Sequence, residues 1–203
     1  MKLLHVDSGI LGASSVSRRL SAAAVAQWRD QHPETTVVYR DLVSDPVDHL
    51  TGEFLAAKNT DPRQHSPAVR QSLAVGEKVL DEFLAADVVV VGAPMYNFGI
   101  PSQLKAWIDR LAVAGKTFAY TAKGPVGLVE GKTVIIASSR GGFYGPNSPL
   151  SAVDHQEKYL SAVFGFFGIN DVRFLRAEGL SVSPEQRQRA IAEESEVVQL
   201  LAA

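Results

Sequence analysis

An uninterrupted run of four valines, Val88 to Val91, most constrains what this chain can fold into. A strand that is buried on one face alternates apolar and polar residues, so a continuous β-branched run indicates a strand covered on both faces. Such strands belong to parallel sheets, because crossover connections place helices on either side of the sheet. The run therefore predicts an α/β architecture.

The rest of the chain alternates between the same two patterns. Short apolar runs predict four more strands, at residues 3–6, 37–39, 133–137 and 172–175. Apolar residues at helical spacing predict helices at residues 15–28, 68–85, 102–111, 150–164 and 184–201. The segment 45–67 carries three prolines and predicts loops with at most one short helix. Strands that alternate with helices need long crossovers, so we predict a doubly wound, five-stranded parallel sheet with helices on both faces, in one domain over residues 1–203.

The composition excludes several classes of function. The 20 basic and 22 acidic residues form no block of one sign, so nucleic acid is not an expected partner. The chain has no cysteine, and its five histidines, at positions 5, 32, 49, 65 and 155, lack metal-ligand spacing, so no metal site is expected. No run approaches the ~18 apolar residues of a membrane helix, and residues 1–7 are too short for a signal sequence. We expect a cytoplasmic protein without a membrane partner.

The fold class predicts where a ligand binds. In doubly wound sheets, ligands lie beyond the carboxyl ends of the strands, beside the point where the strand order reverses. For the order 2-1-3-4-5 that point lies between the first and third strands. The loops after the first, third and fourth strands are therefore the expected site.

The loop after the first strand, residues 7–17, contains four serines and two glycines and opens directly into a helix. Free backbone N–H groups, the positive end of the helix dipole and serine hydroxyls together hold a phosphate well. The loop has no lysine or arginine, so it suits a phosphomonoester better than a nucleoside triphosphate. Ordinary helix capping by one serine is the alternative interpretation.

Two other phosphate motifs fail in detail. The Gly-Lys-Thr tripeptides at 115–117 and 131–133 resemble the end of a P-loop, but Arg110 and Val126 stand where that motif requires its first glycine. The first tripeptide follows a predicted helix and the second precedes a predicted strand, the reverse of a strand-to-helix passage. No Gly-x-Gly-x-x-Gly fingerprint follows any strand either, which disfavours a Rossmann-type NAD domain.

The loops after the third and fourth strands favour a planar ligand. Residues 93–101 place Met95, Tyr96, Asn97 and Phe98 on a turn bounded by prolines, which suits a heteroaromatic ring with hydrogen-bonding edges. In residues 138–145 consecutive glycines allow backbone N–H groups to approach a carbonyl edge such as that of an isoalloxazine. Aromatic packing over the sheet end, and a flexible loop with a solvated Arg140, are the alternatives.

These segments together resemble the FMN-dependent NADH:azoreductase / NADH:quinone reductase family of the flavodoxin-like superfamily. The resemblance rests on Met-Tyr-Asn-Phe at 95–98 after the valine strand and Ser-Arg-Gly-Gly at 139–142. It extends to Phe-Ala-Tyr-Thr at 118–121 and Gly-Phe-Phe-Gly-Ile at 165–169, and runs over essentially the whole chain. It implies a flavodoxin-like fold and a homodimer with each flavin near the subunit interface.

The resemblance also implies a reaction and a set of site residues. It implies bound FMN, with NADH or NADPH as co-substrate, and ping-pong hydride transfer through flavin N5 to quinones and azo compounds, which are cleaved to amines. The implied cofactor contacts are Gly9, Ser15, Val16, Ser17, Met95, Tyr96, Asn97, Phe98, Ser139, Arg140, Gly141 and Gly142. The candidate substrate pocket is Asn97, Phe98, Phe118, Tyr120 and Phe166, with packing in the core or in a dimer as the alternative for Phe118, Tyr120 and Phe166. Tyr120 or a water is the candidate proton donor, and His155 is a further candidate catalytic residue.

Three departures and one rival reading accompany this resemblance. One departure is the stretch 143–148, which varies within the family and is expected to reshape the acceptor pocket. The family commonly has serine where this chain has Gly9, and glutamine where it has Val16, so one hydroxyl and one amide donor are absent. The rival reading is an electron carrier or an FMN-binding regulatory module that turns over no organic substrate. Carriers are typically strongly acidic for docking, and the net charge of −2 argues against one.

Overall fold

The computed structural model describes residues 1–200, with side chains for residues 1–193. Its strands are β1 (Lys2–Asp7), β2 (Thr36–Asp41), β3 (Val88–Pro94), β4 (Phe118–Thr121), β5 (Gly124–Gly127), β6 (Thr133–Ser139) and β7 (Asp171–Ala177). Its α-helices are α1 (Val16–Gln31), α2 (Gly52–Ala57), α3 (Pro67–Ala85), α4 (Ser102–Leu111), α5 (Gln156–Phe167) and α6 (Pro184–Leu200). The segment 45–67 holds the single short helix α2 and a 3-10 turn at Pro62–Gln64, which agrees with the prediction.

The main sheet has the order β2-β1-β3-β6-β7, and all its pairings are parallel. Numbered along the sheet strands alone, this is the predicted order 2-1-3-4-5, and the flavodoxin-like fold is confirmed. Strands β4 and β5 form a separate antiparallel hairpin that the sequence pattern did not predict. Each has only four residues, and residues 124–127 include two glycines and a proline, so the hairpin carries little strand signal.

The valine run is buried on both faces of the sheet, as its composition predicts. All four valines are at most 3% exposed. Val89 and Val91 pack in the larger core with Phe83 and Trp107, whereas Val88 and Val90 pack on the opposite face with Ala24 of α1. Burying one valine fully contributes about 1.5–3 kcal/mol, so this strand anchors both layers of helices.

The predicted helix at 150–164 begins later than expected. Residues 151–153 form a 3-10 turn, and α5 starts at Gln156. The cause is Asp154, whose Oδ1 accepts the backbone N–H groups of Gln156 and Glu157 at 3.1 Å each and so caps the helix. Leu150 precedes this cap and belongs to the loop.

Lys132 illustrates why the second Gly-Lys-Thr tripeptide is not a phosphate motif. The residue is 8% exposed, and its ammonium donates to the carbonyl of Ala86, just beyond the carboxyl end of α3. Burial lowers the pKa of this ammonium. The lysine therefore closes the end of a helix and joins it to the start of β6.

None of the helices in the described part of the chain is both long and apolar enough to cross a membrane. Within the same residues, no three His, Asp or Glu side chains are grouped in a way that would hold a metal ion.

Candidate functional site

The loops after β1, β3 and β6 meet at the carboxyl edge of the sheet and line one cavity of about 150 Å³. The first loop contributes Ser15 and Val16, the second Met95 and Tyr96, and the third Ser139 and Gly141. A fourth wall comes from residues 180–187, which the sequence analysis did not assign to the site. The predicted convergence of three loops is thus observed, with an additional wall contributed by the segment after β7.

Buried hydroxyls converge with helix N–H groups at the start of α1. Ser15 and Ser17 are 3% and 0% exposed, and their Oγ atoms lie 3.0 Å apart. The Ser15 side chain does not cap the helix, although it stands at the N-cap position. The first N–H groups of α1, including those of Val16 and Ser17, have no acceptor within the helix. One hydroxyl donates to the other, so one hydroxyl proton and the helix N–H groups are left to bind an anion together, which argues against simple capping.

Gly9 allows the loop to approach these hydroxyls. A Cβ atom at position 9 would stand 2.4 Å from Ser15 Oγ and 3.2 Å from Ser17 Oγ, so any side chain here would displace the hydroxyls. Gly9 thus supplies no side-chain donor itself and leaves the hydroxyls of Ser15 and Ser17 in place. Val16 contributes its backbone N–H to the helix start and no amide side chain.

Arg18 binds the backbone of this loop from outside the cavity. Its Nε donates to the carbonyl of Gly9 at 2.8 Å, and its Nη1 and Nη2 donate to Asp41 at 2.9 and 2.6 Å. The Arg18 guanidinium holds the pKa of the Asp41 carboxyl at about 2, well below its ordinary value. Arg18 therefore positions the loop, and the Asp41 carboxylate balances its charge.

The second loop contains a strained turn. Tyr96 and Gly99 exchange backbone hydrogen bonds of 3.0 Å, and the two residues between them, Asn97 and Phe98, have φ values of 49° and 70°. Both central residues are left-handed, the pattern of a type I′ turn, for which Asn-Gly is the favoured sequence. A phenylalanine in this conformation costs about 1–2 kcal/mol. The turn leaves Phe98 48% exposed at the rim of the site.

The third loop presents backbone donors. The carbonyls of Arg140, Gly141 and Gly142 accept N–H groups from residues 179–181 at 2.9–3.1 Å. The N–H groups of Gly141 and Gly142 have no partner among the residues that the structure describes. This loop is therefore anchored through its carbonyls and keeps N–H groups for a ligand.

Arg140 lines the cavity, but its guanidinium is committed elsewhere. The side chain is 1% exposed and is not solvated. Its Nη2 lies 2.5 Å from Glu157 Oε1 and 3.2 Å from Asp154 Oδ2, and its Nη1 lies 3.1 Å from Glu178 Oε1. Asp154 and Glu157 are likewise part of this buried cluster and do not form a solvated helix face. The cluster fixes the loop 139–142 to α5 and to the segment after β7.

Within one chain, the five predicted substrate-pocket residues do not form a single pocket. Asn97 and Phe98 lie beside the cavity, whereas Phe118, Tyr120 and Phe166 form their own cluster, with ring centroids of Phe118 4.6 Å from Phe166 and 5.4 Å from Tyr120. Phe118 and Tyr120 of this cluster belong to the hairpin β4–β5. The hairpin packs on the carboxyl end of α5, close to the start of β7, and so lies at the amino edge of the sheet, opposite the cavity.

His155, the other candidate proton donor, does lie near the turn. Its backbone N–H donates to the carbonyl of Phe98 at 3.1 Å. Its side chain is exposed and lines a second cavity with Ile100 and Tyr159. A catalytic role for its imidazole stays a prediction.

Comparison with known proteins gives consistent results. Residues 1–201 match the family described as having a flavodoxin-like fold. The chain is 60% identical over 198 residues to the FMN-dependent NADH:quinone oxidoreductase of Sinorhizobium fredii, which covers 98% of this chain and 95% of that protein.

Two solved structures show the same relationship. The azoreductase from Bacillus anthracis str. Sterne is 33% identical, with a TM-score of 0.90, over 100% of this chain and 98% of that one. The FMN-dependent NADH-azoreductase from Bacillus anthracis str. Ames Ancestor, solved in complex with FMN, is 28% identical. Its TM-score is 0.88, over 100% of this chain and 99% of that one.

The strain at Phe98 is testable by comparing two truncations. Phe98→Ala and Phe98→Gly both remove the ring, but only glycine relieves the left-handed backbone. We expect the glycine variant to be more stable than the alanine variant by about 1 kcal/mol, a shift of roughly 2–4 °C in Tm for a chain of this size. Thermal unfolding monitored by circular dichroism measures this difference, and equal stability of the two variants would contradict the strain.

The Arg18–Asp41 pair predicts a pH dependence. Because the pKa of Asp41 is lowered to about 2, its contribution to stability is complete above its ordinary pKa and is lost as the pH falls from about 4 to 2. We expect Asp41→Asn to be less stable than wild type by about 1 kcal/mol at pH 6, and this gap to close toward pH 2. Urea unfolding across this range measures the gap. Asp61→Asn, which removes an exposed pair with Arg63, is the control and should change stability little at any pH.

Proposed function

The chain belongs to the family with a flavodoxin-like fold, among the FMN-dependent NADH:quinone oxidoreductases and azoreductases, and from this we propose that it binds FMN and transfers hydride from NADH to quinones or azo compounds. The observation that carries the proposal is the convergence of three loops on one cavity, with the buried Ser15 hydroxyl at one end and the Ser17 hydroxyl 3.0 Å from it. The hydroxyl and backbone N–H donors in that cavity are arranged at the edge where such folds bind ligands.

The residues at the cavity fit FMN. Ser15 and Ser17, with the N–H groups at the start of α1, would hold the phosphate. Met95, Tyr96, Asn97 and Phe98 would border the ring, and the N–H groups of Gly141 and Gly142 would bind its carbonyl edge. In this assignment Ser139 and Arg140 shape the cavity wall, and Gly9 and Val16 contribute space and a backbone N–H. This residue set rests on the contacts described above.

The protein's part in the reaction is binding and orientation. When bound, FMN supplies the hydride chemistry at its N5 atom, so the chain needs no nucleophile. N–H groups at a carbonyl edge stabilise the negative charge that a flavin gains on reduction. The exposed Phe98 leaves a flat apolar surface where a nicotinamide or an acceptor can stack. Tyr120 and His155 stay predictions as proton donors.

We extend the proposal to a homodimer in which each chain completes the site of the other. The cavity of one chain, about 150 Å³, is smaller than the ~300–1,000 Å³ of typical ligand pockets. The aromatic cluster of Phe118, Tyr120 and Phe166 lies far from it in the same chain, and Tyr120 is 77% exposed. Such an exposed aromatic side chain is typical of an interface. In this proposal residues 1–203 act as one FMN-binding domain, and the cytoplasmic location stays a prediction.

The electron-carrier alternative makes a different prediction about turnover. We expect the FMN-loaded chain to oxidise NADH continuously when a quinone is present, with the parallel double-reciprocal lines of a ping-pong mechanism. Steady-state absorbance at the NADH band measures this, and free FMN at the same concentration is the control. A flavin-loaded chain that shows no quinone-dependent NADH oxidation would favour the carrier.

The dimer proposal is tested at the aromatic cluster. Tyr120→Glu places a charge on a surface that we expect to be buried between two chains, so it should shift the chain toward monomer and lower quinone reductase activity at least about tenfold. Leu55→Glu, at an apolar position of α2 that is 51% exposed, is the matched control and should change neither. Sedimentation equilibrium gives the mass. A wild-type monomer with full activity would overturn the proposal.

A further inference from the structure

Arg187, in the first part of α6, lies at the cavity that also includes Ser15 and Val16. Its Nη2 lies 3.5 Å from the carbonyl oxygen of Ser14, a contact at the outer limit of a hydrogen bond. No carboxylate among residues 1–193 forms an ion pair with it. The guanidinium therefore sits beside the buried serine hydroxyls with its charge unbalanced by the described part of the chain.

The other two arginines around the site are in a different situation. Arg18 is bound to Asp41, and Arg140 is bound to Asp154, Glu157 and Glu178. Their charges are neutralised inside the protein, so they position loops. Arg187 is the cavity-lining cation that retains both its charge and its donors for a ligand.

Packing fixes the position of Arg187 relative to the phosphate end of the cavity. Ala190, three residues further along α6, is buried with Val16 and Leu20 of α1. Ser183 caps α6 by accepting the N–H of Gln186 at 3.1 Å. These contacts hold the start of α6 against the start of α1. The flexible Arg187 side chain spans the distance from α6 to the carbonyl of Ser14.

A nearby cation strengthens the binding of a phosphomonoester. The ester carries about −1.5 to −2 charges at pH 7, whereas the serine hydroxyls are neutral and the helix start provides about half a positive charge. Gly9 has no side chain and Val16 has an apolar one, so neither position supplies a side-chain donor. A guanidinium provides charge-assisted hydrogen bonds that neutral donors do not replace.

We infer that Arg187 is a phosphate-binding residue of the cofactor site, which donates to the FMN phosphate and replaces the donors absent at positions 9 and 16. This inference rests on the proposed function. Arg187 acts on the phosphate only, so it strengthens binding of FMN and leaves binding of riboflavin, which lacks the phosphate, unchanged. It also makes FMN affinity depend on ionic strength.

The test is the affinity of the flavin-free chain for FMN and for riboflavin, measured by quenching of flavin fluorescence at low and high salt. For Arg187→Gln we expect the Kd of FMN to rise about tenfold, since the side chain is partly exposed, and its salt dependence to fall. The Kd of riboflavin should not change. Arg187→Lys, which keeps the charge, should lie between wild type and Arg187→Gln.

Arg189→Gln is the matched control. It removes the same charge from the same helix at an exposed position outside the cavity, and it should leave both Kd values at wild-type levels. An Arg187→Gln variant with wild-type FMN affinity would overturn the inference, and so would equal weakening of FMN and riboflavin, which indicates a structural role. If Arg187→Gln does not fold, the comparison of Arg187→Lys with wild type decides by the same criteria. A wild-type chain that binds no FMN would instead overturn the proposed function.

Discussion

The parallel pairing of β1, β3 and β6 is the constraint on which the site depends. Their register aligns Asp7 with Gly92 and Gly92 with Ala137, so the three strands end at the same edge of the sheet. Hydrogen bonds continue this alignment into the loops, since Ser8 Oγ donates to the carbonyl of Gly92 at 2.6 Å and the Met95 N–H donates to that of Ser139 at 2.8 Å. The buried valines fix the position of β3 in the sheet, and the register of the sheet fixes where each loop begins. Loops that are remote in sequence meet for this reason.

The meeting of the three loops does not by itself leave hydrogen-bond donors free for a ligand. The donors stay free because the loops bind the rest of the protein through their backbone carbonyls. The carbonyl of Gly9 is held by Arg18, and the carbonyls of 140–142 are held by the segment 179–181. In both loops the acceptors are satisfied within the protein, and the donors are left at the cavity. A site built this way is electropositive at its backbone without carrying a large net charge, which suits a cofactor that must gain negative charge on reduction.

The sequence predicted the elements that follow from local pattern and missed those that follow from distant contacts. The valine run, the serine loop and the Met-Tyr-Asn-Phe turn each have a local signature, and their meeting follows from the topology of the fold. Arg18 and Arg187 have no such local signature. Arg18 acts through Asp41 at the end of a strand, and Arg187 lies 173 positions from Ser14. The sequence left a solvated Arg140 open as an alternative because its carboxylate partners stand at least 14 positions away, and only the folded chain brings them together. The hairpin was missed because strands of four residues leave too short a pattern.

The exposed turn is the part of the site that the proposed dimer would complete. Hydride transfer to two successive partners at one ring requires a face that opens to solvent, and the turn at Phe98 leaves that face uncovered. Two consecutive left-handed residues there cost stability, and natural chains keep such strain where geometry serves a function. An open apolar face in water is also a surface for association. The turn that exposes Phe98 therefore favours a second chain as the partner that covers this face. In the proposed dimer, the aromatic hairpin β4–β5 of that second chain would cover it.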